Sequence, residues 1–192
     1  MAILLLGLIL FFGGHSVRIV AESWRARQIE RIGPGRWKGL YSLVAAIGLV
    51  LIVWGYGMAR TDPVVLWQPP MWTRHLAAVL TLPLFVLIAA AYIPGTHIRA
   101  RLGHPMLIGI KLWAAAHLFA NGTLADVLLF GAFLVWAVFD FRAARARDRA
   151  AGMRYPPQGA MRDVSAIVIG LAAWVVFARY LHAWLIGVHP FA

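Results

Sequence analysis

Six stretches of this chain are apolar for long enough, or nearly long enough, to cross a lipid bilayer, and no other feature limits its fold as tightly. A helix needs about 20 apolar residues, each adding about 1.5 Å, to traverse a hydrocarbon core about 30 Å thick. The first stretch runs from Ala2 to about Val20, the second from Leu40 to Met58 and the third from His75 to Tyr92. The fourth covers Pro105 to Ala120, the fifth Leu124 to Phe141 and the sixth Val164 to Val188. Only 13% of the 192 residues are charged and 62% are hydrophobic. A soluble domain of this size could not hide so much apolar surface. The sequence therefore predicts an all-α fold, a polytopic membrane helix bundle of about six transmembrane helices in a single domain over 1–192. A soluble enzyme fold and a disordered chain are excluded. The absence of cysteine excludes disulfides, thiolate metal sites and cysteine nucleophiles together.

The charge pattern orients the bundle. The net charge is +11, which in a soluble protein would suggest nucleic acid. Here the basic residues sit between the apolar runs, where lipid headgroups and the positive-inside rule account for them, so no nucleic-acid partner is expected. The first connection carries Arg25, Arg27, Arg31, Arg36 and Lys38; the third carries Arg99 and Arg101. The fifth carries Arg142, Arg145, Arg147, Arg149, Arg154 and Arg162, whereas the second offers Arg60 and Arg74 at most. Odd connections are thus expected on the cytoplasmic side and both termini on the other. The first apolar stretch lacks a charged leader and a small-residue cleavage site, so it reads as a retained helix. The Arg-Ala run at Arg142–Arg149 reads as a topology anchor in preference to a lipid-binding patch. Asn121-Gly122-Thr123 reads as a tight turn between spans four and five, with Gly122 taking positive φ and Thr123 capping the next helix.

Seven histidines in so apolar a chain require a reason. Ionisable groups at membrane depth are costly and by default mark function. His15, His117 and His182 fall inside spans, while His75 and His104 sit at span ends and His97 and His189 in a connection and the tail. The end and tail histidines have plainer readings: His75 as an interfacial anchor, His104 as a helix-start residue before Pro105, His97 and His189 as solvated side chains. No His-Glu-x-x-His motif supports a zinc hydrolase. Haem suits the composition better, because it needs one or two axial histidines and an apolar, aromatic surround. No Cys-x-x-Cys-His exists for covalent attachment, so the cofactor expected is haem b. Small neighbours at Gly13-Gly14-His15 and Ala114-Ala-Ala-His117 leave room for a planar ligand. His104 lies 13 residues before His117 on the same predicted helix, about 20 Å away along its axis, so the two cannot share one iron. By depth His117 matches His182 better than His15.

The stretch His104-Pro-Met-Leu-Ile-Gly-Ile-Lys-Leu-Trp-Ala-Ala-Ala-His117-Leu-Phe-Ala-Asn-Gly122 resembles the signature of the NnrU family, bacterial multi-pass membrane proteins associated with denitrification. These are similar in turn to the zeta-carotene isomerase of plants and cyanobacteria. His15-Ser16, the basic run of the fifth connection and the His182–Gly187 ending extend the resemblance along the chain. It implies haem b with His15 and His117 as the axial metal ligands. His104 and His182 complete the cofactor-binding set, His104 supporting the site or the fold. It further implies a bacterial inner-membrane location, lipid as a partner, a hydrophobic small-molecule substrate and isomerase-like or redox chemistry; self-association is left open. Two other functions compete. One is an accessory or nitric-oxide-sensing role without turnover. The other is an S-adenosylmethionine-dependent methyltransferase, since His104-Pro-Met-Leu-Ile-Gly109 also resembles the helix start of isoprenylcysteine-type enzymes.

Overall fold

A computed structural model describes residues 1–191 of the chain. Among the described residues its regular elements are helices: α1 (Ala2–Val20), α2 (Glu22–Ile32), α3 (Pro34–Ala59), α4 (Trp72–Tyr92), α5 (His97–Leu102), α6 (Pro105–Ala120), α7 (Leu124–Ala150) and α8 (Met161–Val176), the last continued by a π-helical turn (Phe177–Leu181) into α9 (His182–Ile186). Among the described residues, five helical stretches are long and apolar enough to cross a membrane, and α6 is a shorter apolar helix of 16 residues. The protein is thus a polytopic membrane helix bundle. Two compact units make it up. The first comprises 1–67 and 123–132, the second 68–122 and 133–192, so the continuous helix α7 contributes to both.

α1 and α6 have the bounds that hydropathy suggests. Elsewhere the helices overrun it. α3 begins at Pro34 instead of Leu40, because Pro34 at the first helical position follows Gly33 at φ 85° and starts the helix early. The Arg-Ala run expected in a connection is instead the last two turns of α7, which reaches Ala150. Alanine and arginine are among the best helix formers, and Arg147 pairs with Asp140 at 3.5 Å along it. The first connection likewise folds as α2, where Arg25 and Glu22 meet at 2.9 Å. Gly122 does not take positive φ; Asn121 is extended and Thr123 forms a β-bridge with Val65. The capping expectation holds at Thr123, whose Oγ1 accepts from the Asp126 N–H at 3.3 Å while Asp126 Oδ2 accepts the Thr123 N–H at 2.9 Å.

The first unit is held by glycine. α1 and α3 pack so closely that a Cβ on Gly48 would lie 2.7 Å from the Phe11 backbone N and one on Gly7 would lie 2.6 Å from the Ile52 N. One on Gly55 would strike the Leu4 backbone. Gly48 and Gly55 are two turns apart and so face the same way. Small residues in this arrangement let backbones approach where lipid offers no hydrophobic drive to association. At the end of α3, Tyr56 donates to Asp126 Oδ1 at 2.6 Å; that carboxylate is 5% exposed and also accepts the Thr123 hydroxyl at 2.6 Å.

In the second unit α4 packs on α6 and on α8. Gly170 of α8 abuts the backbone of Val86, and Gly109 of α6 abuts Leu84. α6 runs antiparallel to the later part of α7: Trp113 meets Phe133 edge-on at 5.2 Å, Lys111 caps the Phe141 ring at 3.9 Å, and His104 reaches Asp148. Pro83 inside α4 removes one backbone donor in a turn that faces the cavity described below. Gly55→Leu should lower the stability of the purified protein by about 1–3 kcal/mol or more through overpacking, read from thermal unfolding in detergent by circular dichroism. Gly57→Leu, where a Cβ meets nothing within 4 Å, should stay within about 0.5 kcal/mol of the parent.

A histidine-lined cavity as candidate cofactor site

A cavity of about 600 Å³ opens inside the second unit, a size typical of small-molecule sites. Its sides come from Thr81 and Phe85 of α4, Trp113 and His117 of α6, and Trp174 and Phe177 at the end of α8. The lining is mostly apolar and aromatic; its polar members are Arg74, Thr81, Asn121 and the histidines His117, His182 and His189. Trp174 Nε1 donates to Thr81 Oγ1 at 3.3 Å, which satisfies the indole and ties α8 to α4 across the wall.

His117 sits where the helix can fix its tautomer. Its Nδ1 lies 2.9 Å from the Trp113 carbonyl one turn earlier. A carbonyl only accepts, so Nδ1 carries a proton, and in the neutral form of the ring the lone pair is on Nε2. The indole of Trp113 flanks the imidazole, with ring centres 5.2 Å apart. His182 lines the same cavity, and its Nδ1 is committed to a backbone carbonyl by another route. Its Nδ1 donates to the Val188 carbonyl at 2.7 Å. That bond exists because Gly187, in the left-handed region at φ 75° and ψ 17°, ends α9 and folds the tail back. The π turn immediately before His182 sets the azimuth at which its side chain leaves the helix, and such turns recur at functional sites.

His15, in the first unit, follows the pattern of His117. Its Nδ1 donates to the Phe11 carbonyl at 2.7 Å, the ring stacks on Phe11 with centres 4.1 Å apart, and Tyr41 meets it edge-on at 5.2 Å. A Cβ on the neighbouring Gly13 would meet nothing within 4 Å, so the close helix approach in this unit occurs at Gly7 and not at the Gly13-Gly14 pair. The three histidines read as lying inside spans therefore share one arrangement, Nδ1–H on a backbone carbonyl. This is how metal-binding imidazoles are commonly oriented.

His104 differs. Its Nε2 donates to Asp148 Oδ2 at 2.9 Å, and the same carboxylate accepts from the Tyr155 hydroxyl at 3.1 Å. The ring pins the start of α6 to the end of α7 and contributes nothing to the cavity. Burial, followed by the hydrogen bond and charge of Asp148, pushes the Tyr155 phenol above its ordinary value, with Arg99 over the ring opposing this. His97 pairs with Asp163 at 2.7 Å, and the same carboxylate caps the backbone of α5. His75 is exposed. Sequence reasoning placed His189 in a solvated tail, yet the turn at Gly187 brings it to the cavity wall beside Phe191; Arg74 and Asn121 were likewise missed. Only a glycine near the end of the last apolar run, Gly187, could have signalled this.

Among the described residues no group of three or more His, Cys, Asp or Glu side chains is placed to hold a metal ion. A hydrolytic zinc centre has no support here, whereas haem requires fewer protein ligands. The family model described as NnrU protein matches residues 3–190, nearly the whole chain. The chain belongs to the NnrU family. No curated protein and no solved structure matches it.

In this NnrU protein, removal of Asp148 takes away the acceptor that helps keep Tyr155 neutral. Asp148→Ala should therefore lower the titration midpoint of that phenol, read as the ultraviolet difference from the Tyr155→Phe variant. The sign for stability follows from the raised value: the contribution of Tyr155 is present below the ordinary phenol range and is lost as pH rises through the folded-state value.

Proposed function

We propose that this chain binds haem b within the membrane and uses it for isomerase-like or redox chemistry on a hydrophobic small molecule. The observation that carries the reading is His117: an imidazole with Nδ1 held by its own helix, set in an aromatic cavity that His182 also lines. The donor set fits haem, because an imidazole nitrogen would hold its iron and apolar walls would suit the macrocycle. When bound, haem would supply an iron able to donate or withdraw electron density, which is what rotation about a conjugated double bond requires. The chain's own residues hold and exclude. The Trp113 carbonyl orients His117, the Val188 carbonyl orients His182, and Phe85, Trp174 and Phe177 keep water from the site. Arg74 brings positive charge to the same wall, suited to a carboxylate on the bound group. Family membership supports a multi-pass membrane setting. A bacterial inner-membrane location and a link to denitrification are what the NnrU resemblance implies, and a link to carotenoid metabolism is what the similarity of that family to the isomerase implies.

The test is an absorption spectrum of the purified protein, oxidised and dithionite-reduced, with a pyridine haemochrome assay. The expected result is a b-type signal near one haem per chain, mostly lost in His117→Ala and retained in His97→Ala. Loss in His182→Ala with His15→Ala unaffected would make His182 the second residue that holds the haem, and the converse would make it His15. A protein that stays colourless after haem reconstitution, and instead binds S-adenosylmethionine, would overturn the reading in favour of a methyltransferase.

A further inference from the structure

A second cavity, of about 630 Å³, lies at the opposite end of α6 from His117, between the α5–α6 turn, the end of α7 and the segment that follows it. We propose that it binds a phosphate-bearing anion, the headgroup of an anionic phospholipid. Arg145, Arg149 and Arg154 line it, and among the described residues none of them has a carboxylate within 4 Å. The one carboxylate in the cavity, Asp148, is already engaged by His104 and Tyr155. Arg99 adds a further guanidinium behind the Tyr155 ring, 4.9 Å from its centre. Gly103, at φ 73°, lets Arg145 lie against the chain: a Cβ there would sit 3.1 Å from the Arg145 Nη1.

A topology anchor needs positive charge on one side of the membrane and no more. It does not require arginines to converge on one concavity while the local acid is bonded elsewhere. The neighbours in the same run behave differently, since Arg147 pairs with Asp140 and does not line the cavity. Guanidinium forks suit phosphate oxygens, and basic pockets between membrane helices hold anionic headgroups. Met153, Pro156 and Pro157 give the rim an apolar side on which the glycerol and first acyl carbons would rest.

The experiment is native mass spectrometry of the detergent-purified full chain titrated with phosphatidylglycerol or phosphatidylcholine, with inorganic phosphate as a competitor. The expected result is preferential phosphatidylglycerol binding, weakened about tenfold or more in Arg149→Gln/Arg154→Gln, because each lost charge-assisted hydrogen bond is strong. Arg25→Gln/Arg27→Gln, which removes as much charge elsewhere, should leave it unchanged. Full displacement by equimolar phosphate would overturn the lipid as the source of the anion. Equal binding of both lipids, or equal loss in the two double variants, would overturn the site itself. Unchanged far-ultraviolet circular dichroism shows that each variant has folded.

Discussion

Hydrocarbon offers no hydrogen-bond partners, so every polar group that enters it must bring its own. The helices satisfy the backbone. The polar side chains at depth then turn to that same backbone or to each other. His15 and His117 donate to the carbonyl one turn before them, and His182 to a carbonyl that a glycine turn carries back to it. Asp126, the most buried carboxylate described, accepts from Tyr56 and from both donors of Thr123. This economy has a chemical by-product: an imidazole whose Nδ1–H is committed to a carbonyl presents a basic nitrogen on its other side. The rule that makes histidine tolerable inside a membrane also prepares it to be a ligand.

Contact between helices rests on a different footing. With lipid as apolar as leucine, close packing replaces burial as the force that joins them. α1 and α3 meet over Gly7, Gly48 and Gly55, and α4 meets α8 over Gly170. In both units glycines let backbones approach where a Cβ would clash, and the bulky side chains lie elsewhere. In the second unit those side chains, Trp113, Trp174 and Phe177 among them, surround the cavity.

Hydropathy made the spans readable, and α1 and α6 have the bounds it gives. It failed where charge and helical propensity diverge. The Arg-Ala run is too polar for a span yet built from strong helix formers, so it extends α7 instead of looping. The candidate histidines could be found because ionisable groups are rare in such a chain. Which of them share a cavity could not, because His182 and His189 reach it through a turn at Gly187 and a π-helical step that leave no periodic signal. His104 read as a helix-start residue that supports the site or the fold, but the acid that engages it is 44 residues away in sequence, beyond the reach of any local pattern.

The π-helical turn at Phe177–Leu181 accommodates one residue more than a regular turn would. Each residue of an α-helix rotates the chain by about 100°. Loss of a single residue from this segment would restore the ordinary winding, and everything after it would swing by about that angle. His182 would then leave the cavity wall without any change to the residue itself. Chain length is therefore a determinant of this cavity on a par with composition: a chain that kept the histidine but lacked the extra residue would possess the imidazole and not its place in the wall.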